Sequence, residues 1–179
     1  MSKRKFNLSD HYGSVHKTGD VYSVRFDRLL NHPVKKVWEA LTIPRKIAQW
    51  LSPNHKTTET EIDLRLGGKV RMQFMMAISD GEITTLEKEK VLEITWTKEN
   101  ISKWELFKEG ADQCRLLFTE TLPASFLQHA APAYHGYLDF LSLALDQKKI
   151  PVGILEEWDE ISKEAAERYQ EMLHKIFIP

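Results

Sequence analysis

His135 and Asp139 stand four residues apart, the separation that sets two side chains side by side on one helix face. An imidazole and a carboxylate so placed have the types for acid–base work. Gln128, Ser142 and Asp146 continue the same narrow polar stripe. The plainer reading of that stripe is a solvated face. Turning it inward would leave the wide apolar face of the helix outside, at a cost of several kcal/mol at ~25 cal/mol per Å². His129 and His135, six apart, share no face for joint metal ligation. Cys114 alternates with apolar neighbours and reads as a buried small hydrophobe rather than a nucleophile. Glu120 follows a strand end. It could reach a cavity mouth, but a surface carboxylate is the expectation. The acidic run Glu156-Glu157-Trp158-Asp159-Glu160 sits where a helix begins, and there it complements the helix dipole. Gly67-Gly68-Lys69 reads as a turn, since no longer glycine loop surrounds it. The chain has no His-Glu-x-x-His, paired-Cys, Gly-x-Ser-x-Gly or Walker pattern. No catalytic residue, metal ligand or cofactor is therefore expected.

The totals narrow the partners. Twenty-five basic and 26 acidic side chains give a net charge of −1, which does not suit a phosphate-backbone binder. A single cysteine forms no internal disulfide and fits a reducing compartment. No run approaches the ~20 apolar residues of a membrane span, and no apolar segment follows Lys3-Arg4-Lys5 as in a secretory signal. The expectation is a cytoplasmic chain of one domain, without nucleic acid or membrane span, as monomer or homodimer.

The elements that must position these side chains follow from periodicity. Residues 1–19 read as a polar arm, with Phe6 and Leu8 able to tuck against the domain. Tyr22, Val24 and Phe26 alternate with Ser23, Arg25 and Asp27, a half-buried strand. Pro33 and Pro44 each mark the first turn of a short helix, the first with Val34, Val37, Trp38 and Leu41 on its apolar face, the second with Ile47, Trp50 and Leu51. Short strands follow, with period two through Val70-Met72-Phe74-Met76, Leu92-Ile94-Trp96, Trp104-Leu106 and Cys114-Leu116-Phe118. Gly67-Gly68, Asp80-Gly81 and Gly110 read as turns between them. A long helix follows Pro123, capped at Ser125, with Pro132 either kinking it or opening its regular part. Leu127, Tyr134, Leu138, Leu141 and Leu145 share its apolar face. An amphipathic tail helix runs from about Ile154 to Phe177 and docks on the domain or, alternatively, makes a dimer contact. The fold class is α+β: a curved antiparallel sheet around a long C-terminal helix, with two short helices near the N-terminus and an extra C-terminal helix. The expected division is 1–19 arm, 20–150 domain, 151–179 docked helix.

The stretch HPVKKVWEALTIPRKIAQWL resembles the opening motif of the START-like, or SRPBCC, superfamily. Within it, His32-Pro33, Val37-Trp38, Ala40-Leu41-Thr42, Pro44 and Trp50 are similar to the group named after the C-terminal domain of activators of a heat-shock chaperone ATPase (AHSA-type). Gly67-Gly68, Gly81 with Ile83 and Leu86, Thr95-Trp96, and Gly136-Tyr137 with Leu138 and Leu141 continue the likeness, Tyr137 replacing a tryptophan. The resemblance covers about residues 20–150. It implies a helix-grip fold, whose members bind hydrophobic ligands, act as cyclase- or hydrolase-like enzymes, or assist a chaperone. The chain has no room for the separate N-terminal domain of the chaperone activators, a departure from that pattern.

The leading expectation is non-catalytic binding of a small hydrophobic, aromatic or lipid-like molecule between sheet and long helix. The alternatives are a chaperone accessory protein partnered by a heat-shock chaperone, and a cyclase- or hydrolase-like enzyme. The candidate cavity set is Val24, Phe26, Trp50, Met72, Phe74, Met76, Trp96, Trp104, Leu106, Leu116, Phe118, Tyr134, Tyr137, Leu138 and Leu141. Tyr134 or Tyr137 is the expected polar handle.

Overall fold

The computed structural model describes residues 6–53, 59–74, 77–151, 153–154 and 156–177. Its elements in chain order are β1 (Ser14–Thr18), β2 (Val21–Leu30), α1 (Val34–Thr42), α2 (Pro44–Leu51), β3 (Glu61–Ile62), β4 (Lys69–Gln73), β5 (Ile78–Glu87), β6 (Val91–Thr97), β7 (Asn100–Lys108), β8 (Cys114–Leu122), α3 (Ala124–Leu145) and α4 (Trp158–Phe177). The strands form one antiparallel sheet in the order β1-β2-β8-β7-β6-β5-β4-β3. The first long strand thus pairs with the last, and the rest meander outward.

Alternation sets the inner face. On β2, Tyr22, Val24, Phe26, Arg28 and Leu30 are buried, while Val21, Arg25, Asp27 and Leu29 face out. β8 buries Cys114, Leu116, Phe118, Glu120 and Leu122 in the same phase. The long helix α3 lies on that face and is buried on several sides, through Leu127, Ala131, His135, Leu138, Phe140, Leu141 and Leu145. It runs unbroken through Pro132. The helix begins at Ala124 with Pro123 as its cap residue, two positions before the expected cap Ser125.

Pro44 occupies the first turn of α2, where its missing N–H is not needed. Pro33 instead stands just outside α1 as its extended cap residue. The expected turn at Asp80-Gly81 does not exist, because both residues lie inside β5, opposite Arg71 and Val70 of β4. Gly81 answers a packing need: a Cβ there would sit 2.8 Å from the Trp96 ring. Residues 14–18, read as part of a loose arm, pair with β2 as an edge strand. Met76 lies outside the described residues.

The tail helix α4 packs along α3. A Cβ on Gly136 would stand 2.1 Å from Cη2 of Trp158, so only glycine lets the indole reach the α3 backbone. Ile161, Ala165, Tyr169 and Leu173 are its buried stripe. Among the described residues no helix is long and apolar enough to cross a membrane.

Candidate functional site

Two polar clusters are buried, one on each side of α3. The first lies between α3, α4 and the arm. His135 is fully buried, with the Tyr169 hydroxyl 3.2 Å from Nδ1 and the Ser9 hydroxyl 3.3 Å from Nε2. The Gly13 N–H donates to the Tyr169 oxygen at 2.8 Å. Tyr169 can then donate to Nδ1, which leaves the imidazole proton on Nε2. Ser9 donates to both Asp139 oxygens, from its N–H at 2.7 Å and its hydroxyl at 2.8 Å. Arg28 is buried beside them. It donates to the His11 carbonyl and lies 3.8 Å from Asp139. Desolvation pushes the His135 pKa down to about 4, despite the opposing pull of Asp139, so the ring is neutral at pH 7. The middle of the polar stripe of α3, His135 and Asp139, expected to face solvent, is instead covered by the arm and α4, while Gln128 and Asp146 at its ends are exposed.

The second cluster faces the sheet. Ser102 on β7 and Glu120 on β8 are direct cross-strand partners, and both are buried. The Trp96 indole N–H donates to Ser102 Oγ at 2.7 Å, and Ser102 donates to Glu120 Oε2 at 2.5 Å. The β6–β7 register shifts between Thr95 and Thr97, so an irregularity falls at Trp96. Bulges of this kind re-aim a side chain. Burial raises the Glu120 pKa to about 8, opposed by the Ser102 hydroxyl and by Tyr134 of α3. The carboxyl is therefore largely protonated at neutral pH. Burial, and then Glu120, push the Tyr134 hydroxyl well above its ordinary pKa. Glu120 Oε1 has no hydrogen-bond partner among the described residues.

In front of this cluster is the space between sheet and helix. It is bounded by Leu41, Trp50 and Leu51 from α1 and α2, by Met72, Phe74, Trp96, Ser102 and Trp104 from the sheet, and by Tyr134, Tyr137 and Leu138 from α3. Its free volume is about 20 Å³. That is room for about one water. The interior is thus almost filled, where the expectation was an open cavity, and ligand pockets ordinarily hold ~300 Å³ or more. Phe74 packs edge-on to Trp96, with centroids 5.8 Å apart, and lies 5.8 Å from Tyr137. Beyond these rings a surface cleft of about 200 Å³ is lined by Ala77, Ser79, Asn100, Ala130 and Ala133, and again by Phe74, Trp96, Tyr134 and Tyr137. One aromatic wall separates the closed space from the open one.

Of the expected set, Trp50, Met72, Phe74, Trp96, Trp104, Tyr134, Tyr137 and Leu138 border the closed space. Val24, Phe26, Leu106, Leu116, Phe118 and Leu141 are packed in the core away from that border. Phe118 stacks on Trp104 at 3.9 Å, and Phe26 turns toward His135 and Tyr169. These side chains back the wall rather than form it. Cys114 is fully buried as expected, its thiol pushed up to about 11 by desolvation.

Glu120 and Ser102 are absent from the expected set. The signal for both was the strand period: Cys114, Leu116, Phe118 leads to Glu120, and Leu106, Trp104 leads to Ser102. β8 runs to Leu122, so Glu120 is inside the strand rather than past its end. Among the described residues no three His, Cys, Asp or Glu side chains converge as metal ligands would.

An antiparallel sheet packed on one long C-terminal helix, with two short helices between its first and later strands, defines the helix-grip class of the START-like superfamily. The sequence profile of the family described as "Activator of Hsp90 ATPase homolog 1-like protein" matches residues 31–132, and the chain belongs to that family. Among solved structures, the chain is similar to EF2215 of Enterococcus faecalis, a conserved protein of unknown function (22% identity, TM-score 0.72, 91% of each chain covered). It is also similar to CalU16 of Micromonospora echinospora (24% identity, TM-score 0.69, 90% of this chain and 96% of that one). SA2116 of Staphylococcus aureus, a further protein of unknown function, matches at 16% identity and TM-score 0.62 over 71% of this chain and 94% of its own. At these identities the likeness is one of fold. No curated protein sequence matches the chain.

Proposed function

We propose that this protein binds a small apolar, aromatic or lipid-like molecule between the sheet and α3, without converting it. The observation that carries this reading is the shared aromatic wall: Phe74, Trp96, Tyr134 and Tyr137 border both the closed interior and the surface cleft. Rotation of Phe74, which is only half-buried, would join the two. The small free volume agrees with an unliganded state. An empty apolar pocket of ~300 Å³ costs about 7 kcal/mol at roughly 24 cal/mol per Å³. That is comparable to the ~5–15 kcal/mol stability of a whole domain. Side chains therefore fill the space until a ligand does. Met72 on the wall is unbranched and polarizable, suited to contacts that readjust. The test is a panel of small aromatics and fatty acids read by thermal shift and by the indole N–H signals of Trp50, Trp96 and Trp104. Binding moves these signals and raises Tm; a silent panel removes the reading.

A second reading has one observation in its favour. Glu120 is a buried acid with a pKa raised to about 8, and groups so perturbed cluster at catalytic sites. An enzyme of the cyclase or hydrolase kind would use it as proton donor. Loss of turnover in Glu120→Gln with ligand affinity kept would favour this over plain binding. A chaperone-accessory role draws on the family's description alone, and ATPase stimulation in a mixture with the heat-shock chaperone would be its test.

A further inference from the structure

We infer that the ligand carries a bulky cation without N–H groups, a quaternary ammonium or its like, held against the ring faces that border the space between sheet and α3 and balanced by Glu120 behind them. This rests on the cavity reading above and adds the chemical class of what enters.

Six of the eleven described side chains around that space are aromatic: Trp50, Phe74, Trp96, Trp104, Tyr134 and Tyr137. Neighbouring rings stand across one another. Trp50 meets Trp104 at 72° and 6.0 Å, Phe74 meets Trp96 at 72° and 5.8 Å, and Tyr134 meets Tyr137 at 71° and 6.1 Å. Crossed rings are how the walls of a box meet. Trp104 lies with one face on Phe118, at 3.9 Å, which leaves the other for the space it borders. The indole N–H groups of Trp50 and Trp96, the positive points of those rings, are turned to the Ala40 carbonyl and to Ser102 Oγ. A ring face is negative, and it attracts a cation most where water is excluded. With Phe74 turned aside, the space joins the cleft of about 200 Å³ beyond it, and Phe74, Trp96, Tyr134 and Tyr137 border both.

The second observation is Glu120. It is fully buried, one hydrogen bond behind the wall. Ser102, which borders the space, donates to its Oε2, and its Oε1 has no hydrogen-bond partner among the described residues. Among the described residues no Lys, Arg, His, Asp or Glu borders the space itself. A cation there meets no like charge, and in a dry interior an acid one hydrogen bond away attracts it strongly. The Glu120 pKa of about 8 puts the ionised form within reach once a positive charge arrives.

Other ligand chemistries fit this wall less well. An anion would meet ring faces and a buried acid, with no cation among the described residues to hold it. A primary ammonium needs three acceptors. The bordering side-chain oxygens are the hydroxyls of Ser102, Tyr134 and Tyr137, and Ser102 already accepts from Trp96 and donates to Glu120. A neutral hydrocarbon packs against the rings but draws nothing from Glu120. A nitrogen clothed in methyl groups gives up its water readily, offers apolar surface to Leu41, Met72 and Leu138, and brings the charge that the rings and the acid favour.

Phenyltrimethylammonium and tert-butylbenzene, which share one shape and differ by a charged nitrogen in place of a carbon, test this on the whole chain. Dissociation constants for both come from amide and indole NMR titrations at pH 8, for wild type, Phe74→Leu and Glu120→Gln. Phe140→Leu is the control, since that ring packs on Phe6 and Trp158, away from the wall. The readout is the ratio of the butylbenzene constant to the ammonium constant, in which hydration of the probes cancels between proteins. The ratio should fall about fivefold in Phe74→Leu and about as much in Glu120→Gln, and stay put in Phe140→Leu. Three results overturn the inference and leave the cavity reading standing: butylbenzene binding without the ammonium, a ratio that Phe74→Leu or Glu120→Gln leaves in place, or an equal fall in Phe140→Leu. If neither probe binds, the cavity reading fails and the inference falls with it. Should Glu120→Gln not fold, the Phe74→Leu ratio decides alone.

Discussion

Ser102 donates to Glu120 across adjacent strands at 2.5 Å, and both are buried in the face that grips α3. The consequence is a stability that depends on pH. Unfolded, Glu120 titrates near 4.5; folded, its pKa is about 8 because burial disfavours the charge. Between those values the folded protein holds a proton that the unfolded chain has released. Stability is therefore full below pH ~4.5 and declines as pH rises toward 8, by on the order of 4 kcal/mol. Glu120→Gln removes the titration. Urea melts at pH 5 and pH 8 should show a decline in wild type that is absent from the variant, and equal changes in the two would mean that the carboxyl is not buried in its neutral form.

His135 behaves in the opposite sense. Its folded pKa is lowered to about 4 by desolvation, from 6.5. As pH falls from 6.5 toward 4, the unfolded chain takes up a proton that the folded protein refuses. Stability is kept above pH ~6.5 and lost on acidification, by about 3 kcal/mol. The two effects oppose each other between pH 4.5 and 6.5, so the wild-type curve is flattened there and the Glu120 decline stands clear only above pH 6.5. In the Glu120→Gln background the acid-side loss stands clear, and an added His135→Gln should flatten it. A ring signal titrating near 6.5 in the folded protein would contradict this.

The contact of α4 with α3 depends on a missing side chain. A methyl on Gly136 would meet Cη2 of Trp158 at 2.1 Å, and Phe140 holds the same indole edge-on at 6.1 Å. Helix propensity favours alanine over glycine by roughly 1 kcal/mol, but the overlap forces Trp158 outward, at about 1–3 kcal/mol. Gly136→Ala should lower Tm and raise hydrogen exchange in α4 first, with β5–β8 still protected. Added stability would show that the tail helix adjusts without strain.

Much of this architecture was readable because period two and period 3.6 are local properties. The strand phases of β2, β6, β7 and β8 and the buried stripe of α3 follow directly from residue order. Asp80-Gly81 misled because glycine there serves the Trp96 ring of a neighbouring strand, which no local rule sees. Glu120 was hidden by its type: a carboxylate in phase with Leu116 and Phe118 looks like the end of a strand until Ser102 is known to be its partner. His135 and Asp139 looked solvated because their cover comes from Ser9 and Tyr169, 126 and 34 residues from His135. Long-range cover of a polar stripe leaves no periodic trace.

The aromatic wall yields the last prediction. Phe74 touches Trp96 and Tyr137, and those three rings stand between the closed interior and the cleft. If a ligand enters through this wall, the slow step is displacement of Phe74, not diffusion to the cleft. Phe74→Ala removes the door while leaving Ser102, Glu120 and Tyr134 in place. The association rate of 1-indanone, followed by NMR exchange, should rise at least several-fold. The equilibrium constant should change less if Phe74 closes again over the bound ligand, because its displacement then costs only the passage and not the complex. Loss of a half-buried ring costs about 2 kcal/mol of stability, so the variant should remain folded. An unchanged association rate with unchanged affinity would place the entry elsewhere, and Leu51→Ala, on the α2 side of the same space, would then be the variant that speeds binding.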